Sequence, residues 1–284
     1  MSTNVLVTGA NGQLAKTLQK RFKNNQDHIK FTFVTKKELD ITDAQQVQSY
    51  FLSNNLDYCI NCAAYTNVEQ AEKTPELAFK VNAEAVKNLA KVCKKTNTIL
   101  VHISTDYVFD GEKETPYTEL DIPNPINEYG KSKLLGEQYI QDILERYFIV
   151  RTSWLYSNYG KNFLKTIVKN LDNNKQLKII TSQKGAPTST YNLAKFIYIL
   201  ITDKITNFGL YHFTDKQVVS WFGFAKTIAN THDQSKLYLV SPTNKNTSKT
   251  ARPKLSALNN NKRFKIFINE ALLNNSIKEI ISLL

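Results

Sequence analysis

Long apolar runs are missing from this sequence of 284 residues, although hydrophobic residues make up 42% of it. No stretch reaches the length of about 18 apolar residues that a membrane-crossing helix needs. The first residues, MSTNVLVTGA, lead directly into strand-like sequence, without the charged region, apolar stretch and cleavage site of a secretion signal. We therefore expect a globular protein of the cytoplasm with no membrane partner.

Cysteine is scarce, with only Cys59, Cys62 and Cys93. Cys59 and Cys62 form a C-x-x-C pattern, which metal sites and redox enzymes also use. No second pair of His or Cys follows at ligand spacing, and the two cysteines alternate with apolar neighbours as in a buried strand. We interpret them as small buried apolar side chains, and the sequence predicts no metal site.

Acidic residues are outnumbered, with 25 Asp and Glu against 37 Lys and Arg, which gives a formal net charge of +12. Such an excess is found in nucleic-acid-binding proteins, where it is concentrated on one face. Here the lysines are scattered or, like Lys87, Lys91 and Lys94, lie on the solvated side of an amphipathic segment. We expect no nucleic-acid partner, and a basic surface also suits an anionic nucleotide ligand.

Strand-like and helix-like segments alternate along the first half of the chain. Strand-like runs at 4–8, 31–34, 58–64 and 98–105 are each followed by apolar residues at helical spacing. The near-continuous apolar run at 98–105 is typical of a central parallel strand that is covered on both faces. This alternation predicts the α/β class, as a Rossmann-type doubly wound parallel sheet.

One of these helices is expected to begin at Thr74. Its side chain can cap the helix, and Pro75 suits the first helical position. The predicted buried stripe of this helix consists of Leu77, Val81, Ala85 and Leu89.

The alternation loses its regularity after residue 157, where Asn-rich connections appear. We therefore predict a Rossmann domain for NAD(P) at 1–157, to which the chain returns around 177–206. The remainder of 158–284 is predicted to form a smaller α/β region that binds the substrate.

Glycine is infrequent, with nine residues, but two of them follow the first strand in the G-x-x-G-x-x-A segment 9–15. Glycines there let the backbone approach a pyrophosphate, whose charge then lies at the N-terminus of the next helix. The spacing alone is a weak signal, but its place after the first strand of a βαβ unit is the context that the motif requires. The segment predicts a dinucleotide cofactor.

An acid is missing at the end of the second strand, where NAD-binding proteins use one to hold the ribose 2′-hydroxyl. The residues there are Val34, Thr35, Lys36 and Lys37. Thr35 and the lysines suit a 2′-phosphate, which favours NADPH. Two solvated lysines in a turn are an equally good interpretation, and use of NADH stays open.

The pattern Y-x-x-x-K occurs twice, as Tyr129/Lys133 and Tyr191/Lys195. With 14 tyrosines in a lysine-rich chain, chance produces such matches, so spacing cannot choose between them. Tyr191 and Lys195 lie in an apolar helix-like stretch, which favours a structural or surface role. Tyr129 and Lys133 follow the strand that ends at Thr105, and ligands of doubly wound sheets bind beyond such strand ends.

Thr105, Tyr129 and Lys133 suit the reduction of a ketone, which needs a hydride donor and an acid for the nascent alkoxide. A free tyrosine has a pKa of about 10, so it must be tuned toward neutrality, and a nearby lysine ammonium stabilises its phenolate. Thr105 can hydrogen-bond the carbonyl oxygen on which charge develops. We predict these three residues to be catalytic.

Nine segments resemble the dTDP-4-dehydrorhamnose reductases, a family of extended short-chain dehydrogenase/reductases. Each segment is weak alone, but together they span most of the chain and are specific. They are GANGQLA at 9–15, DITD at 40–43, INCAAYTNVEQAE at 60–72, STDYVFDG at 104–111, YGKSKLLGE at 129–137, RTSWLY at 151–156, GKNF at 160–163, QKGAPT at 183–188 and ARPKLSAL at 251–258.

The resemblance implies a role for each residue that matches a family motif. Tyr129 would protonate the C4 oxygen of a sugar, and Lys133 would also hold the nicotinamide ribose of the cofactor. The other implied cofactor contacts are Gly9, Asn11, Gly12, Gln13, Leu14, Asp40, Ile41, Ala63, Ala64 and Tyr65. The implied contacts of a sugar nucleotide are Asp106, Tyr107, Trp154 and Arg252. Trp154 has the alternative of a core aromatic, because tryptophan is usually largely buried.

Two differences from related proteins narrow the expected reaction and the expected mode of dimerisation. Related 4,6-dehydratases carry an Asp-Glu pair after the strand, whereas here Tyr107 follows Asp106, which argues for simple reduction rather than water elimination. Family members that dimerise around magnesium have glutamate just after the glycine-rich loop. Lys16 and Thr17 stand there instead, so a homodimer stays open but a metal-bridged one is not expected.

The sequence thus predicts NADPH-dependent reduction of the C4 ketone of a nucleotide-linked 4-keto-6-deoxy sugar. The resemblance favours conversion of dTDP-4-dehydro-L-rhamnose to dTDP-L-rhamnose, a step of polysaccharide biosynthesis. A UDP-linked 4-keto-6-deoxy or acetamido sugar is the alternative, with or without epimerase activity. A non-catalytic NADP-binding regulatory subunit is a third interpretation, which the intact Thr105, Tyr129 and Lys133 disfavour.

Overall fold

The structure, a computed structural model, describes residues 2–22, 28–245, 248–263, 266–267 and 272–284. The strands are β1 (Thr3–Thr8), β2 (Ile29–Val34), β3 (Tyr58–Asn61), β4 (Ile99–Thr105), β5 (Tyr147–Thr152), β6 (Leu155–Tyr156), β7 (Leu177–Ile180), β8 (Lys184–Gly185), β9 (Thr188–Ser189), β10 (Gly209–His212), β11 (Val219–Ser220) and β12 (Val240–Thr243). The α-helices are α1 (Gln13–Phe22), α2 (Ala44–Ser53), α3 (Val68–Ala71), α4 (Pro75–Phe79), α5 (Ala85–Thr96), α6 (Glu128–Ile143), α7 (Phe163–Asp172), α8 (Thr190–Thr202), α9 (Trp221–His232) and α10 (Leu273–Ile281). A π-helical turn at Lys80–Glu84 and 3₁₀ turns at Asp106–Val108 and Gln234–Leu239 complete these elements. Within the described ranges, no helix combines the length and the apolar character needed to cross a bilayer.

Six parallel strands form the main sheet in the order β2, β1, β3, β4, β5, β10. The register pairs Thr8 with Asn61 and Asn61 with His102, so neighbouring strands end at one edge. The chain passes from β1 outward to β2 and then back to β3 on the other side. Such a reversal opens a crevice at the carboxyl ends of the strands, where ligands of this architecture bind. The predicted α/β class and Rossmann-type sheet are confirmed.

Strand residues alternate between two apolar cores, one on each face of the sheet. Val5 and Val7 of β1 pack with α1 and α8, whereas Leu6 and Cys59 pack with α2, α5 and α6. All four side chains are essentially inaccessible to solvent. A sheet that is covered on both faces requires apolar residues at consecutive positions, which explains the uninterrupted apolar strands of the sequence.

Two of the three cysteines lie inside these cores. Cys59 and Cys93 are fully buried, and burial raises the pKa of both thiols. Cys62 differs from the prediction, because it follows β3 and is only partly buried beside the crevice, where its thiol pKa is still raised to about 12 by burial. Within the described residues, no group of three or more His, Cys, Asp or Glu side chains is arranged to hold a metal.

The helix predicted from Thr74 forms but differs from the prediction in two ways. The Thr74 side chain does not cap it; its hydroxyl donates to the carbonyl oxygen of Gln70 instead. The helix also passes through the π-helical turn at Lys80–Glu84, whose extra residue rotates the stripe around the helix axis. As a result Leu77 is 48% exposed, while Leu89 is fully buried.

A smaller α/β region is built from the C-terminal half of the chain. Strand β7 pairs in parallel with β12, and α7, α9 and α10 pack around a core that includes Leu164, Phe224 and Ile277. The chain returns to the main sheet through α8 and β10. Leu177–Ile180, which falls inside the range predicted for this return, belongs to the smaller region. The domain boundary at residue 157 stays a prediction.

Leu89→Ala is expected to lower the free energy of unfolding by about 2–5 kcal/mol, because it leaves a cavity in a closed core. Leu77→Ala makes the same chemical change on the exposed side of the π-helical turn and should stay within about 0.5 kcal/mol of the parent protein. Urea denaturation of the two variants measures the difference. Equal losses would contradict the rotation of the stripe.

Candidate active site

The crevice between β1 and β3 contains two adjoining cavities of about 470 Å³ and about 300 Å³. Both are bordered by Asn11, Gly12, Cys62 and Ala64, so they form one groove. The larger cavity is also lined by Gln13, Leu14, Thr105, Asp106, Tyr129, Lys133, Trp154, Gly160 and Lys161. The smaller is also lined by Gly9, Lys36, Asp40, Ile41, Ala63 and Tyr65. Every residue predicted to contact the cofactor, apart from Thr35, therefore borders this groove.

The glycine-rich loop lies against the end of β3. Gly9 has a φ of +67°, and a Cβ atom there would lie 2.7 Å from the backbone nitrogen of Ala63. Only glycine tolerates both the left-handed conformation and this close approach. The Gly12 amide donates to the Gly9 carbonyl at 2.8 Å, and α1 begins at the next residue. The positive end of the α1 dipole therefore lies at the groove.

Gln13 ties this loop to a segment that the sequence prediction did not include in the site. Its Oε1 accepts hydrogen bonds from Ser157 Oγ at 2.9 Å and from Asn162 Nδ2 at 2.8 Å. These bonds hold the segment beside the groove, where Gly160 and Lys161 form part of the wall. The GKNF motif at 160–163 was the sequence feature that could have placed this segment in the site.

The end of β2 carries an acid that the sequence prediction overlooked. Glu38 Oε2 accepts hydrogen bonds from the Thr35 amide at 2.7 Å and the Thr35 hydroxyl at 2.9 Å, and these bonds lower the pKa of Glu38. Lys36 is mostly exposed, with Nζ 3.6 Å from Asp40 Oδ2. Cations and carboxylates thus lie together after the end of β2.

Thr105 and Tyr129 meet in the larger cavity. Thr105 ends β4, and its hydroxyl accepts a hydrogen bond from the Tyr107 amide at 3.2 Å in the turn that follows. The phenol of Tyr129, which lies in the first turn of α6, borders the same cavity as this hydroxyl. Two groups from distant parts of the chain can thus reach one ligand oxygen.

The start of α6 is in direct contact with the turn after β4. Asn127 caps the helix, with its Oδ1 accepting from the Gly130 amide at 2.8 Å. A Cβ atom on Gly130 would lie only 2.1 Å from the Tyr107 carbonyl oxygen, and the rings of Tyr107 and Tyr129 meet edge to face at 5.8 Å. The absence of a side chain at Gly130 therefore sets how near Tyr129 comes to Thr105.

Lys133 lies one helical turn beyond Tyr129 and is almost fully buried. Its Nζ donates to the Ile103 carbonyl oxygen at 2.7 Å and lies 3.2 Å from His102 Nε2. Burial lowers the pKa of Lys133 to about 8, although the charge of Glu137 opposes the shift.

Tyr129 has a raised pKa in this structure. Burial is the main cause; the Thr105 hydrogen bond opposes it, while Asp106 and Tyr107 add to it. The expectation that Lys133 lowers this pKa is therefore wrong for the structure as described, because the amine is directed toward β4 instead.

Asp106 lies beside Thr105 and is almost inaccessible to solvent. Burial raises its pKa to about 7, against the hydrogen bonds from Ser256 and Thr105. The Thr105 hydroxyl donates to Asp106 Oδ1 at 3.1 Å. A carboxyl group that titrates near neutrality at the wall of a groove is able to hold a proton there.

Trp154 is both a core aromatic residue and part of the cavity wall. Its ring stacks on Trp221 with the centroids 3.5 Å apart, and it packs against the core of the C-terminal region. It also borders the larger cavity, and its φ of +46° is a left-handed conformation that few non-glycine residues adopt. Strained backbone of this kind is concentrated at ligand sites.

Arg252 lies in a neighbouring cleft of about 700 Å³. Its Nη2 is 3.0 Å from Glu69 Oε1, and its charge opposes the burial that raises the pKa of Tyr107 to about 12. Its Nε is buried and has no hydrogen-bond partner in the part of the chain that the structure describes. The stacked indoles lie between the two spaces, since Trp154 borders the larger cavity and Trp221 borders the cleft. Other residues of the cleft are Phe163, Lys178, Ile179, Ile180, Gln183, Ser248 and Lys249.

The second Y-x-x-x-K pair lies away from the groove. Tyr191 is buried in the core of the C-terminal region with Arg21 over its ring at 5.0 Å, and Lys195 Nζ lies 5.6 Å from the ring of Phe267. These contacts agree with the structural role expected for the pair.

Known proteins resemble this chain over nearly its whole length. The family model of the RmlD substrate binding domain matches residues 3–283. A dTDP-4-dehydrorhamnose reductase of Aggregatibacter actinomycetemcomitans is 39% identical over 229 residues, which are 79% of this chain and 77% of the relative. The spore coat polysaccharide biosynthesis protein SpsK of Bacillus subtilis (strain 168) is 36% identical over 256 residues, 90% of this chain and 89% of SpsK. The crystal structure of a dTDP-4-dehydrorhamnose reductase from Bacillus anthracis str. Ames in complex with NADP matches with a TM-score of 0.92 and 37% identity, covering 100% of both chains.

Gly130→Ala is expected to lower the free energy of unfolding by about 1–3 kcal/mol or more. The methyl group of the alanine would overlap the carbonyl oxygen of Tyr107, which cannot move freely because it belongs to the backbone. Gly223→Ala is the matched control, since a Cβ atom there meets nothing nearer than 3.5 Å and alanine favours the helix. Thermal unfolding of both variants measures the difference. An unchanged melting temperature for Gly130→Ala would contradict the proposed contact between α6 and the turn.

Proposed function

The chain belongs to the family of the RmlD substrate binding domain, and on that basis we propose that it is an NADPH-dependent reductase of nucleotide sugars. It reduces the C4 ketone of a 4-keto-6-deoxy sugar, with dTDP-4-dehydro-L-rhamnose as substrate and dTDP-L-rhamnose as product. The shared cavity of Thr105, Tyr129 and Lys133, in a groove that begins at a glycine-rich loop, is the observation that carries this proposal.

The groove fits a dinucleotide cofactor. Gly9 and Gly12 have no side chains to obstruct the groove, and the N-terminus of α1 beside them favours a pyrophosphate. Lys36, mostly exposed at the smaller cavity, suits a 2′-phosphate, and NADP is bound by the similar Bacillus anthracis reductase. When bound, NADPH supplies the hydride for the ketone. The carboxylates of Glu38 and Asp40 at the same place leave use of NADH open.

Tyr129 is the proposed acid of the reaction. Its raised pKa keeps the phenol protonated at neutral pH, so it can give a proton to the C4 oxygen as negative charge develops. The Thr105 hydroxyl, which borders the same cavity, stabilises the same oxygen. Lys133 borders the cavity one turn away, where it can hold the nicotinamide ribose.

The cleft beside the stacked indoles suits the nucleotide end of the substrate. Arg252 and Lys249 supply positive charge for a diphosphate, and the buried Nε of Arg252 is a hydrogen-bond donor without a protein acceptor among the described residues. Trp221 offers an aromatic ring for a base. Among the described residues of the cleft, none separates thymine from uracil, so a UDP-linked sugar is the alternative substrate that the assay below includes.

A homodimer and a cytoplasmic location are also proposed. Lys16 and Thr17 at the start of α1 replace the glutamates of the magnesium-bridged dimers, so dimerisation should not depend on a metal. Light scattering of the purified protein, with and without a chelator, measures this.

The proposed activity is tested by the loss of NADPH absorbance when purified protein meets freshly made 4-keto-6-deoxy sugars on dTDP and UDP carriers. Each sugar is supplied with and without a 3,5-epimerase, and NADH is compared with NADPH. Oxidation only with the epimerised dTDP sugar is expected. Oxidation with a UDP sugar alone would change the substrate, and cofactor binding without any turnover would favour a regulatory subunit.

Tyr129→Phe is expected to lower turnover by about 10² or more, because it removes the proton donor, while NADPH affinity stays the same. The matched control is Tyr191→Phe, which removes the hydroxyl of the other Y-x-x-x-K pair and should leave turnover unchanged. Steady-state kinetics and fluorescence titration with NADPH separate the two effects. Full turnover in Tyr129→Phe would exclude this residue from the chemistry.

A further inference from the structure

A single carboxylate joins the N-terminal half of the chain to the strap, which is the segment 248–252. Glu69 lies in α3, and its Oε1 accepts hydrogen bonds from Ser248 Oγ at 2.5 Å and Arg252 Nη2 at 3.0 Å. Its Oε2 accepts a hydrogen bond from Thr250 Oγ1 at 2.8 Å. Both oxygens of one side chain are thus bonded to partners that lie 179 to 183 residues further along the chain.

The strap is held from a second side by the helix that presents Tyr129. Asn127, the N-cap of α6, donates from Nδ2 to the Ala251 carbonyl oxygen at 3.0 Å. That carbonyl belongs to the peptide bond that leads into Arg252. The backbone before Arg252 is therefore fixed by α6 and its guanidinium group by α3, so the side chain is held at the cleft that it borders.

Arg252 keeps hydrogen-bond donors for a ligand in this position. A guanidinium has five N–H groups in one plane, and the bond to Glu69 uses one of those on Nη2. The Nε–H group is buried and has no acceptor within the described ranges, at a residue that borders the cleft of about 700 Å³. A phosphate oxygen can accept from such a donor in a charge-assisted hydrogen bond. An anion with phosphate oxygens is therefore the ligand that this arginine suits.

We propose that Glu69 is a positioning residue for the substrate, which fixes the guanidinium of Arg252 in the orientation that binds the diphosphate of the sugar nucleotide. Ser248 and Thr250 donate to the same carboxylate, which keeps it from rotating toward the cleft. The inference rests on the proposed function, because it requires Arg252 to bind the diphosphate of the substrate.

The repulsion between Glu69 and a diphosphate is smaller than this benefit. Hydrogen bonds from Ser248, Thr250 and Arg252 lower the pKa of Glu69 to about 2, so the carboxylate is ionised at every pH used in an assay. The Glu69 side chain is 43% exposed, and solvent screens the charge of such a group. An arginine that is not held would lose its rotamer freedom on binding, which weakens affinity about 2- to 10-fold.

Glu69→Gln tests the proposal, because it keeps the shape of the side chain but leaves one acceptor oxygen for three donors. The Kd of thymidine diphosphate, measured by calorimetry, should rise about 2- to 10-fold, and the KM of the sugar nucleotide should rise with it. The change should be much smaller in kcat, because Arg252 does not border the larger cavity, and the Kd of NADPH should stay the same.

Glu112→Gln is the matched control. It removes a carboxylate that lies 3.4 Å from Lys254 Nζ, two residues beyond Arg252, and Glu112 does not border the cleft. The Kd of thymidine diphosphate should be the same in this variant as in the parent protein.

A double-variant cycle separates positioning from a general structural role. Arg252→Gln removes the guanidinium, so adding Glu69→Gln to it should weaken the binding of thymidine diphosphate no further. Thr250→Val removes one of the three bonds to Glu69 at nearly constant shape, so it should raise the same Kd by a smaller factor. This variant keeps the proposal testable if Glu69→Gln fails to fold.

The outcomes distinguish the inference from the proposed function. An unchanged or lower Kd of thymidine diphosphate in folded Glu69→Gln would overturn the inference, as would losses that add in the double variant. If Glu69→Gln does not fold, an unchanged Kd in Thr250→Val would overturn it. A parent protein that binds neither NADPH nor thymidine diphosphate would instead overturn the proposed function.

Discussion

The contact between the start of α6 and the turn after β4 is the constraint on which the rest of the site depends. Gly130 has no side chain, so the helix can lie against the Tyr107 carbonyl oxygen. This close packing of α6 places the phenol of Tyr129 in the same cavity as the hydroxyl of Thr105. It also directs Lys133, one turn later, toward β4. The parallel register of β1, β3 and β4 then places the glycine-rich loop at the same edge. A local steric fit thus joins the proposed acid to the groove.

Burial has one consistent electrostatic effect on the groove. It raises the pKa of Tyr129 and of Asp106, and it lowers the pKa of Lys133, so each of the three groups is moved toward its neutral form. The proposed ligands are anionic, and they enter a site where burial moves these three ionisable groups toward their neutral forms.

Features with a local sequence signal were predictable, whereas irregular local geometry and contacts between distant elements were not. The glycine-rich loop and the helix that presents Tyr129 have local signals of spacing and position after a strand. Glu38 was overlooked because its bond to Thr35 depends on the shape of the turn after β2. Gln13 and Asn162 are 149 residues apart, so spacing gives no sign of their bond. Leu77 was placed on the wrong side because one extra residue in a π-helical turn changes the helical phase.

The central claim is that a hydride passes from the cofactor to C4 of a nucleotide-linked sugar in this groove. The most direct measurement uses NADPH that carries deuterium at C4 of the nicotinamide, prepared in each of its two stereochemical forms, with the epimerised dTDP sugar as substrate. Nuclear magnetic resonance then locates the label in the product. Deuterium at C4 of the sugar from one of the two forms is the expected result. A product without deuterium at C4 from either form would contradict the account.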